Sequence, residues 1–175
     1  MPVASTSFIK RRDRILQVIG LLVVGMQQTE DLINTCLQLA LPDGDVLTLD
    51  GLMRDKKRLR KATLGRLITV MKQRSALSAD FDEVLEAYLQ DRNILIHDLR
   101  RMGGFDYKSR EGLDRMERFV GNLNQNYEVV TKVFMSLLWE WSGQIGINVG
   151  MDHARVKRVL GDLDGIADHV FLPKY

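Results

Sequence analysis

Between Leu113 and Trp141 the residues Leu113, Met116, Val120, Leu123, Tyr127, Val130, Phe134, Leu137 and Trp141 follow one another at alternating steps of three and four. That period is a heptad seam over four repeats, and it lies along one side of a long α-helix. The seam needs a second long helix to face it, from the same chain or from a partner. Residues 6–41 are the candidate. Ile15, Ile19, Leu22, Met26, Ile33 and Leu37 fall on one face at helical spacing. Leu16, Leu21, Val23 and Val24 make the middle of this stretch apolar most of the way round. A helix of that kind is either central in a bundle or covered by a partner chain.

The rest of the chain is also helical in pattern. Leu47, Leu49, Leu52 and Met53 suit a short helix, which leads into the basic run Arg54–Lys61. Residues 63–74 suit another, with Leu64, Leu67, Ile68 and Met71 inward and Thr63 as N-cap. A further helix starts near Asp80, where Asp80 and Glu83 have capping-box spacing, and Gly103–Gly104 would cap its end. Pro42-Asp43-Gly44 reads as a turn, and Gly143, Gly146 and Gly150 mark a break. A C-terminal docking helix is expected at about 152–169, carrying Val156, Val159, Leu163, Ile166 and Val170. The 175 residues are one domain's length, and only three prolines interrupt them. The expected fold is an all-α bundle of about five helices in one domain, residues 1–175, with its two long helices antiparallel.

Composition excludes several classes. A single cysteine, Cys36, allows neither an internal disulfide nor a thiolate metal cluster, and it reads as a small apolar filler. A net charge of +2 argues against a protein built on bulk basic charge. The longest apolar run, Ile15–Met26, is too short for a membrane span, and no targeting segment stands out. A soluble, cytoplasmic chain is expected. His153 and His169 lack metal-ligand spacing, and no Gly-rich phosphate loop, nucleophile elbow or zinc signature occurs.

One segment carries chemistry: Gln90-Asp91-Arg92-Asn93-Ile94-Leu95-Ile96-His97-Asp98. An arginine and a histidine stand five positions apart in a mostly apolar helix, which on an ideal α-helix sets them about 140° apart. Asn93 and His97, four apart, share a face. The trio spans a wide arc, so a complete site needs a second copy or a neighbouring helix. Glu30 borders the apolar stripe of the first helix. It either pairs with Arg92 and orients it, or faces solvent at the stripe edge.

The string DRNILIHDL resembles the signature of HEPN domains, an arginine, often a polar residue, then a histidine after four to six positions. TLGRLI, about 25 residues before the arginine, and Glu30, near the end of the first helix, are similar to features of some such proteins. The resemblance covers roughly residues 10–145.

The resemblance implies a bundle of four or five helices and, in many members, a metal-independent endoribonuclease without cofactor, a toxin or a phage-defence effector. Such proteins act as homodimers, with both arginines and both histidines in one interfacial cleft and an antitoxin or other regulatory protein as partner. Carried over, Arg92 and His97 are the catalytic pair, Asn93 a polar helper and Glu30 the residue that orients Arg92. The residue types fit the chemistry. Histidine moves protons near neutral pH, and an arginine fork stabilises the extra charge of a phosphorane. Leu99 stands where some HEPN toxins carry a tyrosine that a partner modifies, so that mode of silencing does not carry over. Many HEPN domains are inactive dimerisation or binding modules, and this is the alternative. Lys56, Lys57, Arg58, Arg60 and Lys61, extended by Arg100 and Arg101, would hold the RNA backbone or form a solvated face.

Overall fold

The two long periodic stretches are the two long helices of the fold. The computed structural model describes residues 6–41, 49–59, 62–101, 105–146 and 166–172. Five helices of at least two turns lie among them: α1 (Thr6–Leu39), α2 (Leu49–Leu59), α3 (Leu64–Arg74), α4 (Ala79–Asn93) and α5 (Arg110–Gln144). A short α6 (Ile166–Val170) follows, and β1 (Ala76–Leu77) pairs antiparallel with β2 (Phe171–Leu172).

The heptad seam faces inward as its period requires. Leu113, Met116, Val120, Leu123, Val130 and Phe134 are buried, and Tyr127, Leu137 and Trp141 are half-buried. The facing stripe of α1 buries Ile15, Leu22, Met26, Ile33 and Leu37, with Ile19 half-buried. Between them Cys36 donates to the Phe134 carbonyl at 3.4 Å, and burial pushes its thiol up to about 12.

The expected antiparallel pairing of the long helices is not what forms. Arg11 reaches Asp114, the Thr29 hydroxyl meets Thr131 at 2.8 Å, and Cys36 meets Phe134, with offsets in residue number of 103, 102 and 98. A near-constant offset means that α1 and α5 run parallel. The reason lies between them. The Ser75–Ser78 connection reverses the chain into α4, and the chain reverses again before α5. The Phe81 and Phe134 rings pack 6.2 Å apart while Arg92 reaches back to Glu30, so α4 is antiparallel to both long helices. Arg74 donates to the carbonyls of Leu37 (2.6 Å) and Leu41 (2.8 Å), tying the end of α3 to the end of α1 and satisfying acceptors the helix leaves open. Two reversals after α3 return the chain to the direction of α1.

Local signals decide the helix ends. Thr63 caps α3, its hydroxyl accepting from the Arg66 N–H at 3.4 Å, as its position predicts. The capping box at Asp80 does not form. Ser78 takes the N-cap position because its own N–H is held by the Val170 carbonyl, and Asp80 falls in the first turn, where an acid suits the helix dipole. Ser109 caps α5, accepting from the Gly112 N–H at 3.1 Å. Phe171 packs on Phe81 and Phe134, anchoring β2 to the core. Of the expected docking helix, Ile166–Val170 is described as helix, and its earlier part lies outside the described residues, as do the Pro42-Asp43-Gly44 turn, the Gly103–Gly104 cap and Gly150. No helix among the described residues is long and apolar enough to cross a membrane.

Gly112 puts the start of α5 to the test. A Cβ there would stand 1.8 Å from the Asp106 carbonyl oxygen. Gly112→Ala should therefore lower unfolding free energy in urea by about 1–3 kcal/mol, although alanine is the better helix former. An unchanged or raised stability would refute the close approach of the 105–109 segment to α5.

Candidate functional site on α4

Arg92 is the hub of the candidate site. It sits one turn beyond Tyr88 on the same side of α4, which faces α1 and α5. Its Nε and Nη2 donate to the Glu30 Oε1 at 3.0 Å and 2.6 Å, and Nη1 donates to the Asn93 Oδ1 at 3.2 Å. The Glu30 and Arg92 side chains are only 21% and 18% exposed. An ion pair so far withdrawn from water is held closely, since its loss strands a charge. Of the two readings of Glu30, pairing with Arg92 is the one that forms, and Asn93 belongs to the same cluster.

Tyr88 completes the inner wall, although its place in the apolar pattern marks it as plain core. It is fully buried, and its hydroxyl has no hydrogen-bond partner among the described residues. Burial pushes its pKa above the ordinary tyrosine value. The Glu30 charge and Tyr127 add to the rise, and Arg92 opposes it. The signal in the sequence is the i, i+4 spacing of Tyr88 and Arg92, which sets the hydroxyl toward the arginine's face. Asp91, half-buried at the position before Arg92, is also raised by desolvation.

His97 is placed differently from the ideal-helix expectation. The α-helix stops at Asn93, residues Ile94–Asp98 form one π-helical turn, and Leu99–Arg101 finish as a 3-10 turn. A π turn takes more residues per revolution, so it rotates less at each step. The angle between Arg92 and His97 is therefore narrower than the 140° or so of an unbroken α-helix. Leu95 is buried by this turn, while Ile96 and His97 are exposed. Among the described residues the His97 side chain makes no hydrogen bond or ion pair, and none joins it to Arg92. Within one chain, then, Glu30, Arg92 and Asn93 form one cluster, and His97, exposed in the turn that follows, does not join it.

The expected RNA-contact residues fall in two places. Lys56, Lys57 and Arg58 are exposed in the last turns of α2, whereas Arg60 and Lys61 lie outside the described residues. Arg100 is exposed directly after the π turn, and Arg101 ends the 3-10 turn.

The arrangement presents one cation with capacity to spare. A guanidinium has five N–H donors; two serve Glu30 and one serves Asn93, so two find no partner among the described residues and could meet an anionic ligand. No family model, curated protein or solved structure matches this chain.

The Glu30–Arg92 pair is directly measurable. A double-mutant cycle with Glu30→Gln and Arg92→Gln should give a coupling of about 1–3 kcal/mol in unfolding free energy. Additive single effects would refute a closely held pair.

Proposed function

We propose that this protein is a HEPN-type endoribonuclease that cleaves RNA without a metal, using Arg92 and His97 from two copies of the chain gathered at one cleft. The observation that supports it most is the arginine itself. Arg92 is fixed by Glu30 yet has two donors without a partner among the described residues, and the π turn that follows carries an exposed histidine. In this reading the ribose 2′-hydroxyl attacks the adjacent phosphorus and loses its proton to one His97. The bond from phosphorus to the 5′ oxygen breaks, that oxygen takes a proton from the other copy's His97, and the products are a 2′,3′-cyclic phosphate and a 5′-hydroxyl. Arg92 donates to the non-bridging oxygens as their charge grows. Asn93 and Glu30 hold its plane. A toxin or phage-defence role, with an antitoxin or regulatory partner, follows from the same resemblance.

Lys56, Lys57 and Arg58 on α2, with Arg100 near the histidine, are the phosphate-holding residues of this reading. Their alternative is a solvated face. Replacing Lys56 and Lys57 together by alanine should weaken RNA binding. The slope of log affinity against log salt should fall by about one for each phosphate that is no longer neutralised. An unchanged salt slope assigns these lysines to the solvated face.

The second reading, an inactive HEPN-like binding module, is favoured by one feature: Arg92 and His97 share no hydrogen bond within a chain. Cleavage of RNA in EDTA separates the two. Wild type should cut, and His97→Ala should lose about 10²–10⁴-fold in rate, with Arg92→Ala losing a comparable amount. Circular dichroism checks that both variants stay helical. Absence of cutting by wild type on several RNAs would sink the enzyme reading and leave the binding module.

A further inference from the structure

The turn that leads into α5 carries an exposed aromatic ring in a fixed position. Phe105 packs against the core, and the Tyr107 and Phe105 rings meet in a T-shape, with centres 6.0 Å apart and planes at 69°. The Asp106 Oδ1 accepts the Lys108 N–H at 2.8 Å. The Asp106 carbonyl lies so close to α5 that a Cβ on Gly112 would stand 1.8 Å from its oxygen. The turn therefore has little freedom, yet Tyr107 is 44% exposed. Cations gather round it. The Lys108 Nζ lies 5.9 Å from the ring centre. The Lys108 N–H and the Ser109 hydroxyl hold the Asp106 carboxyl below its ordinary value, and the charges of Lys108 and Arg115 add to that, so Arg115 also stands near the turn. Lys108, Arg110 and Arg115 are all exposed.

This turn stands at the end of the bundle where the candidate site lies. α4 runs antiparallel to α5, so the π turn with His97 and the start of α5 share that end. Four residue steps join Arg101 to Phe105, which keeps them within about 14 Å of each other. We propose that Tyr107 is a stacking subsite for one unpaired base of a single-stranded RNA, with Lys108 and Arg100 on the flanking phosphates. The subsite takes its ligand, RNA, from the proposed function and deepens it by naming the substrate class, an unpaired strand rather than a duplex. In a duplex each base is covered on both faces by its neighbours, whereas a splayed base offers a face to an aromatic side chain. A ring already held by its own turn loses little freedom on binding, so more of the stacking energy is kept. Lys108 leaves the ring for a phosphate as the base arrives. A protein partner fits less well. Aromatic anchors at protein interfaces sit in desolvated pockets where charged residues are depleted, and Tyr107 stands among exposed cations.

The test uses the full chain and a short single-stranded RNA that carries 2-aminopurine. Its sugars are 2′-fluoro, so they lack the attacking hydroxyl and the strand cannot be cut. Wild type should quench the probe's fluorescence on binding, as stacking does. Tyr107→Ala should abolish the quenching and weaken binding about 5–100-fold. Tyr107→Phe should keep both, since the ring rather than the hydroxyl stacks. Lys108→Ala should lower the slope of log affinity against log salt by about 0.7, the single-strand value for one phosphate. The same sequence as a duplex should bind more weakly than the single strand by about the factor that Tyr107→Ala costs. Both positions are exposed, and circular dichroism should show the helices unchanged. Absence of quenching by wild type would overturn the subsite. So would a Tyr107→Ala variant that binds like wild type, a Tyr107→Phe variant that binds like Tyr107→Ala, an unchanged salt slope in Lys108→Ala, or a duplex bound as tightly as the single strand. Binding and cutting are separate readouts. A wild type that stacks the base and cuts no RNA in EDTA sinks the enzyme reading alone. A wild type that cuts RNA while Tyr107→Ala binds unchanged sinks the subsite alone.

Discussion

The parallel packing of α1 against α5 sets the level of everything else. The register is held from Arg11 at one end to Cys36 at the other. In its middle a hydroxyl pair, Thr29 with Thr131, fixes the axial position in an otherwise apolar seam. Gly25 makes room on the seam for the Tyr127 ring: a Cβ at Gly25 would stand 2.5 Å from the Tyr127 hydroxyl. Once those two helices are set, α4 lies antiparallel to both. Glu30 stands one residue beyond Thr29, so the same register that satisfies the threonine pair presents the carboxylate to Arg92. A slip of one turn along α1 would break both interactions together.

Much of this was legible in the chain, because burial in long helices leaves a periodic trace. The stripes of α1 and α5 follow from spacing alone, and so do α3 and its Thr63 cap. The direction of the long pair was not legible. Periodicity says which face is buried and nothing of which way the partner runs. That depended on how many reversals separate the two helices, and the tie between Arg74 and the last carbonyls of α1 has no sequence signature. The start of α4 was obscured for a related reason. Asp80 and Glu83 have the right spacing for a capping box, but the pairing of the Ser78 N–H with Val170, far away in sequence, moved the cap by two positions.

The candidate site was legible in its members and not in its geometry. Arg92, Asn93 and Glu30 come together as their residue types suggest, because a carboxylate at the edge of an apolar stripe needs a cation. Tyr88 was hidden by its own hydrophobicity, since an apolar ring at a core position conceals the hydroxyl it carries. The π turn was hidden more deeply. Leu85, Tyr88, Arg92, Leu95 and Leu99 keep the three-four alternation of an unbroken α-helix, and only the β-branched Ile94 and Ile96, weaker helix formers, hint at a departure.

The energetics of Arg92 decide how its neighbourhood is best understood. A guanidinium kept largely from water by a structural role alone gains most by spending every donor on protein acceptors. Here two donors of Arg92 and the buried hydroxyl of Tyr88 have no partner among the described residues, and the helix abandons its regular hydrogen bonding in the next turn. The hydroxyl is the departure that carries a clear cost, about 1–3 kcal/mol for an unpaired buried group. Three departures within about three turns, from Tyr88 to Asp98, are more than a stabilising ion pair requires. Such departures collect where a chain keeps binding capacity at the expense of stability. The ribonuclease reading gives two of these features a use: the further N–H donors of Arg92 would take the phosphate, and the π turn narrows the angle between Arg92 and His97.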